Sequence, residues 1–441
     1  MSTVQNTPSY TAFRASILHL LGDPGDNLNS EQIEYWEDGL LLIENGYIVA
    51  VGDAEAMLLE LPDDCELTEY PNQLIIPGMI DTHVHYPQTD IISAYGEQLL
   101  EWLETYTFPT EQQFSDPEHA LDVTRFFLNE LLRNGTTTAL VFGTVHPESV
   151  DSFFQVAEQL NLRMIAGKVL MDRNCPEYLQ DTPEQGYQES KTLIEKWHGK
   201  GRLSYAVTPR FAPTSSSEQL TKAAQLLEEY PDTYLHTHVA ENPDEVKWVN
   251  ELFPESRSYL DVYQQHGLLR PRSVLAHCIH LDEQDKQCMA ETGSAAAFCP
   301  TSNLFLGSGL FDLKGFREHN IRIGMGTDVG GGTSFNMLQT GSEAYKVTQM
   351  RGEKLSAFQA LYLATLSGAK ALYLEDKIGN FETGKEADFV VLNFASTPLI
   401  ERRMKSTKTL HEKLFALLML GDDRSISATY IMGKQAYLSE S

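Results

Sequence analysis

The chain has 441 residues, 42% of them hydrophobic and 22% charged, an ordinary globular composition with length enough for a large core. Its 62 acidic residues against 33 basic ones give a formal net charge of −29, a surface that repels phosphate backbones and anionic lipid headgroups and so argues against nucleic-acid or membrane partners. Five scattered cysteines with no CxxC pair, and no apolar run near the ~18 residues of a membrane span, point to a reduced, cytoplasmic protein without a disulfide framework or a cysteine zinc cluster.

Residues 11–72 carry short alternating segments such as Leu40–Val51, with a hairpin turn at Asn45-Gly46. From about residue 74, short apolar runs alternate with longer amphipathic stretches. The expected strands are Leu74–His85, Thr137–Gly143, Arg163–Met171, Leu203–Phe211, Tyr234–Glu241, Ser273–His280, Ala295–Thr301 and Ile321–Asp328. Between them, stretches such as Glu118–Leu132, Ser149–Leu160 and Glu218–Glu229 repeat apolar residues at three and four, as helices do. Eight βα repeats predict an α/β fold closed into a (β/α)8 TIM barrel, with a doubly wound sheet as the alternative. "GNFETGKE", residues 379–386, nearly matches a phosphate loop, but Glu386 stands where a hydroxyl belongs, so it reads as a turn. Beyond it, Ala387–Leu392 and Ala428–Met432 have the character of the first segments. The two termini are therefore expected to meet in a small β-sandwich domain, residues 1–75 and 386–441, flanking a barrel of residues 76–385.

Polar residues gather at the carboxyl ends of these strands, where barrel enzymes build their sites. His83 and His85 are two apart on one strand, so their side chains share a face and one cation could bridge them. "HTHVAEN" offers His236 and His238, of which His238 lies nearer the strand end and is followed by Glu241. "VLAHCIH" offers His277, with His280 already in the next loop, and "IGMGTDVGGG" offers Asp328. Together His83, His85, His238 and Asp328 make a three-histidine, one-aspartate set suited to zinc or ferrous iron, with His277 beside it. HExxH, GxGxxG and the PCxxC of cysteine-ligated deaminases are absent.

These motifs carry a resemblance. "PGMIDTHVHYPQ", "EWLETYTFPTE", "RNGTTTALVFGT", "TPRFAPTSS", "HTHVAENPDEV" and "GMGTDVGGGTSF" resemble the amidohydrolase superfamily and, within it, the guanine deaminases, over about residues 30–435. The resemblance implies a distorted barrel, one zinc ion per subunit with ferrous iron as the alternative, a homodimer, and guanine catabolism through hydrolysis to xanthine and ammonia. It places the metal on His83, His85, His238 and Asp328, and catalysis on Glu241, His277 and Asp328. It sets the substrate against His85, Gln88, Arg210, Phe211, His238, Glu241 and Asp328. The strand-four segment Tyr205–Phe211 contains no lysine to carry a carboxylate bridge, so a second metal is not expected. Gln88 and Arg210 suit the amide edge of a purine. Phe211 reads equally as a stacking ring or a core residue, and Trp102 as a pocket cap or a helix anchor. A triazine, 8-oxoguanine or an adenosine derivative stays open as substrate, as does a catalytically inactive scaffold.

Overall fold

The computed structural model describes residues 10–439 apart from 27 and 97. Its strands, in chain order, are β1 (Tyr10–Leu20), β2 (Ile33–Glu44), β3 (Tyr47–Asp53), β4 (Glu66–Pro77), β5 (Met79–His85), β6 (Thr136–Phe142), β7 (Arg163–Gly167), β8 (Val169–Leu170), β9 (Ser204–Pro209), β10 (Tyr234–Val239), β11 (Ser273–His277), β12 (Ala295–Phe298), β13 (Arg322–Met325), β14 (Phe389–Asn393), β15 (Ile426–Ile431) and β16 (Lys434–Leu438).

Strands β5 to β13 form the barrel as a parallel series, with β8 adding two residues against β9. The seam between β13 and β5 closes through single contacts. Thr82 Oγ1 donates to Met325 O at 3.0 Å, Asp328 N to His83 O at 2.9 Å, and His85 N to Val329 O at 2.8 Å. Helices pack outside the strands. Pro117–Arg133 shows why such segments fold as they do: Asp116 caps it, proline opens it, and Ala120, Val123, Phe127, Leu128 and Leu131 line one buried face. Each large apolar side chain so buried contributes about 1.5–3 kcal/mol.

β1–β4 and β14–β16 form one mixed sheet of order β16-β15-β14-β4-β1-β2-β3, in which only the β1–β4 pair is parallel. The sheet curls on itself. Ile48 N donates to Lys385 O and Gly384 N to Ile48 O, both at 2.8 Å, and Phe13 meets Tyr430 with ring centroids 4.8 Å apart. Asn45 (φ 53°) and Gly46 (φ 86°) are both left-handed, as the β2–β3 hairpin requires. Gly379 and Gly384 likewise take positive φ in the turn before β14.

The apolar run expected as one strand, Leu74–His85, is two. Leu74 and Ile76 face the barrel-side core while Ile75 faces the core of the small sheet, so β4 is apolar on both faces and looks like a barrel strand in sequence. At Gly78 the chain crosses between the sheets, where a Cβ would stand 2.1 Å from Thr137 Oγ1.

Candidate functional site

β5 delivers His83 and His85 at its carboxyl end, β10 delivers His238, and the loop after β13 delivers Asp328 in a left-handed conformation, φ 52°. Ala240, His277 and Cys278, also non-glycine, have positive φ at the same rim. Such conformations cost on the order of 1–3 kcal/mol and persist where surrounding structure enforces them. Glycines at 324 and 326 let β13 approach β5: a Cβ at 326 would press on the His83 Cβ at 2.9 Å.

The donor atoms of His83, His85, His238 and Asp328 all lie within 4.8 Å of one another. Asp328 Oδ1 is 3.1 Å from His83 Nε2 and 3.4 Å from His85 Nε2, and the latter is 3.2 Å from His238 Nε2. Four ligands held tetrahedrally at 2.0–2.1 Å stand roughly 3.3 Å apart, so these separations suit a single ion. His83 Nε2 is sealed from solvent without a well-aligned hydrogen bond, which is the state of a nitrogen aimed at a cation. His238 donates through Nδ1 to the backbone oxygen of Arg210 at 2.6 Å, which leaves the lone pair on Nε2, inside the cluster. Behind His83, its Nδ1 meets His236 Nε2 at 2.7 Å.

Charge states agree with that chemistry. Burial pushes His83 and His238 below the usual imidazole range and His85 down to about 3, so these rings are neutral. Burial alone would raise Asp328, yet the imidazoles, His83 foremost, hold it well below the carboxylate range. Neutral imidazoles around an ionised carboxylate are the form a divalent ion takes up.

Glu241 is the opposite case. Burial, and then the Asp328 charge, push it up to about 8, although Ser308 Oγ donates to its Oε1 at 2.9 Å. Its Oε2 lies 3.4 Å from His277 Nε2, which is also 3.8 Å from Asp328 Oδ2. His277 Nδ1 donates to Asn303 Oδ1 at 2.9 Å, fixing the ring. Glu245 Oε2 accepts from the backbone nitrogens of Glu241 and Asn242 at 2.9 and 3.1 Å, so the first turn of the helix Pro243–Leu252 anchors the acid.

A pocket opens onto this cluster. His85, Gln88, Arg210, Phe211, His238, Glu241, His277 and Asp328 all line it, so every expected substrate-contacting side chain converges there, while the expected ligand His83 lies behind His85. Leu99, Trp102, Leu103 and Leu306 add an apolar wall. Trp102 answers both of its readings, lining the pocket while its indole N–H anchors on Ala94 O at 3.2 Å. Phe211 likewise lines the pocket and packs in a core with Trp248, ring centroids 6.3 Å apart. His280 sits outside, with Nε2 2.9 Å from Ser308 O.

Several groups escaped the sequence reading. Glu245 had a signal, since Asn242 and Glu245 have the spacing of a capping box. Ser308 and Asn303 fall within "FCPTSNLFLGSG", residues 298–309, a stretch that also resembles the guanine deaminases, but nothing in it pointed to a role for either. Glu111 closes the motif "FPTE", yet nothing local announces that its carboxylate is buried against Arg210.

A metal-suited cluster at the carboxyl rim of a distorted barrel, beside a curled sheet built from both termini, defines a metal-dependent hydrolase, and the chain belongs to the amidohydrolase family, whose pattern matches residues 74–436. It is 56% identical over 405 residues to the guanine deaminase of Escherichia coli (strain K12), spanning 92% of each chain. The solved structure of E. coli guanine deaminase superposes with a TM-score of 0.95 at 54% identity, covering 98% of this chain and 100% of that one. A guanine deaminase from C. acetobutylicum, solved with guanine in its active site, superposes with a TM-score of 0.87 at 28% identity, covering 97% and 100%.

Proposed function

We propose that the chain deaminates guanine hydrolytically, giving xanthine and ammonia. The observation that carries this reading is one buried pocket that joins the four-donor cluster, an acid held protonated near neutral pH, and the Gln88–Arg210 pair. The likeness to guanine deaminases, one of them holding guanine, supports the same substrate.

His83, His85, His238 and Asp328 would hold one divalent ion, for which we propose zinc, with ferrous iron suited to the same donors. When bound, it would supply a Lewis acid that makes water nucleophilic near neutral pH. Asp328, ionised and in contact with the same space, accepts a proton from the attacking water as general base. Glu241 gives its proton to the ring nitrogen next to C2, so attack there builds no unstabilised anion. His277, fixed by Asn303, holds the water or the oxygen it becomes. Asp328 then passes its proton to the departing amine, the C2–N bond breaks and ammonia leaves, while the new C2 hydroxyl returns a proton to Glu241, which gives the C2 carbonyl of xanthine and restores the acid. Gln88 and Arg210 read the amide edge of the base, and Phe211 offers a face for its ring. Homodimerisation and a cytoplasmic setting belong to the same proposal. Among the described residues no helix is long and apolar enough to cross a membrane, and light scattering reads the subunit number directly.

Incubation with guanine, followed by ultraviolet absorbance and ammonia release, tests the reaction. Turnover of another aminoheterocycle with none of guanine would move the substrate assignment. Arg210→Ala should weaken guanine binding and leave metal content unchanged; normal binding by that variant would remove Arg210 from recognition.

A further inference from the structure

Glu111 ends the short helix Phe108–Glu111 and is fully buried. It does not line the pocket, yet it bonds to both side chains that read the substrate in the proposed reaction. Arg210 Nη1 donates to Glu111 Oε1 at 3.0 Å and Oε2 at 2.8 Å, and Gln88 Nε2 donates to Oε1 at 3.3 Å. From the other side, Gly330 N donates to Gln88 Oε1 at 3.1 Å, and the Phe108 ring lies 5.5 Å from Arg210 Cζ. The amide of Gln88 is thereby fixed in one orientation, its NH2 toward Glu111 and its oxygen toward Gly330. The guanidinium is gripped on one edge and flanked on one face. Among the described residues, Nε and Nη2 of Arg210 make no hydrogen bond, so they are the donors left for a ligand.

A guanidinium with only 2% of its residue surface exposed needs a balancing charge, and Glu111 supplies it. The pair is already neutral. An uncharged lactam oxygen can bond to the spare donors at no electrostatic cost, whereas an anionic group placed there would meet no net positive charge at the Arg210 end of the pocket and would face the Glu111 carboxylate as well. We propose that Glu111 is a positioning residue that, through Arg210 and Gln88, restricts the pocket to uncharged oxopurines. This deepens the guanine reading and rests on it for the class of ligand.

Calorimetric binding separates the two. Hypoxanthine, neutral at pH 7, and urate, a monoanion at pH 7, both carry the C6 oxygen and need no turnover to be measured, so failure to deaminate guanine would strike only the reaction. In the metal-loaded protein, Glu111→Gln should shift the preference for urate over hypoxanthine upward by on the order of tenfold. An unchanged preference overturns the proposal, because general loss of structure would weaken both ligands alike. Glu111→Asp keeps the charge and withdraws it by one methylene, which covers the case in which Glu111→Gln does not fold. It should bind hypoxanthine several-fold more weakly at wild-type metal content, wild-type melting temperature and wild-type urate preference; hypoxanthine binding equal to wild type, or weakening matched by a lowered melting temperature, overturns the positioning role.

Discussion

At the amino ends of the barrel strands, Arg163 and Arg202 reach from β7 and from the start of β9 into the small sheet. Arg163 Nε donates to Glu386 at 2.8 Å, and Arg202 pairs with Glu386 at 2.9 Å and with both oxygens of Asp388. At the carboxyl ends, the buried charged and polar groups face one another around open space, His83 Nε2 lacks a hydrogen bond, and four non-glycine residues hold left-handed backbone. Both ends bury ionisable groups. One end pairs opposite charges and joins two sheets, with Arg202 Nε left without a hydrogen bond; the other gathers imidazoles and carboxylates around a pocket. The contrast teaches that burial of charge by itself says little about function, and that the informative feature is whether the groups converge on open space.

The contrast can be broken from either side. Asp328→Ala should abolish metal uptake and lower guanine turnover by on the order of 10⁴-fold or more, with a far-ultraviolet spectrum like that of the parent; elemental analysis and ammonia release check both. Glu241→Gln should keep the metal and lose about 10²–10⁴-fold in kcat. At the opposite face, Arg202→Ala leaves Glu386 and Asp388 short of a partner and should cost about 3–5 kcal/mol in denaturant unfolding, while turnover per folded molecule stays at the parent value. A variant as stable as the parent would show that the clamp is ornamental. The smallest effect is the pH dependence. Glu241 acts as an acid only while protonated, so kcat/KM should fall as pH rises through about 8, up to tenfold per unit, and a profile still flat at pH 9.5 would remove it from that role.

Much of this was legible in the chain. The period of the apolar runs gave the barrel, because strands buried on both faces and helices buried on one have different repeats. The HxH of β5, the second HxH of β10 and the TD after β13 marked the four-donor cluster, since functional side chains at strand ends gather at the barrel rim. What was not legible depends on contacts between residues far apart in sequence. Gly78 does not announce that the run before it serves the other sheet. Glu111 and Arg210 are ninety-nine positions apart, and only folding brings their charges together. The choice of His238 over His236 followed strand direction, but the task of His236, supporting His83, needed coordinates.

Arg210 does two jobs with two different parts. Its side chain reaches the pocket, while its main-chain oxygen steadies His238, and every amino acid carries that oxygen. The side chain can therefore be exchanged without removing the oxygen that steadies His238, but the buried Glu111 carboxylate must be exchanged with it. A lineage, or a directed-evolution library, has in this pair of codons a route to altered selectivity that keeps the main-chain support of His238.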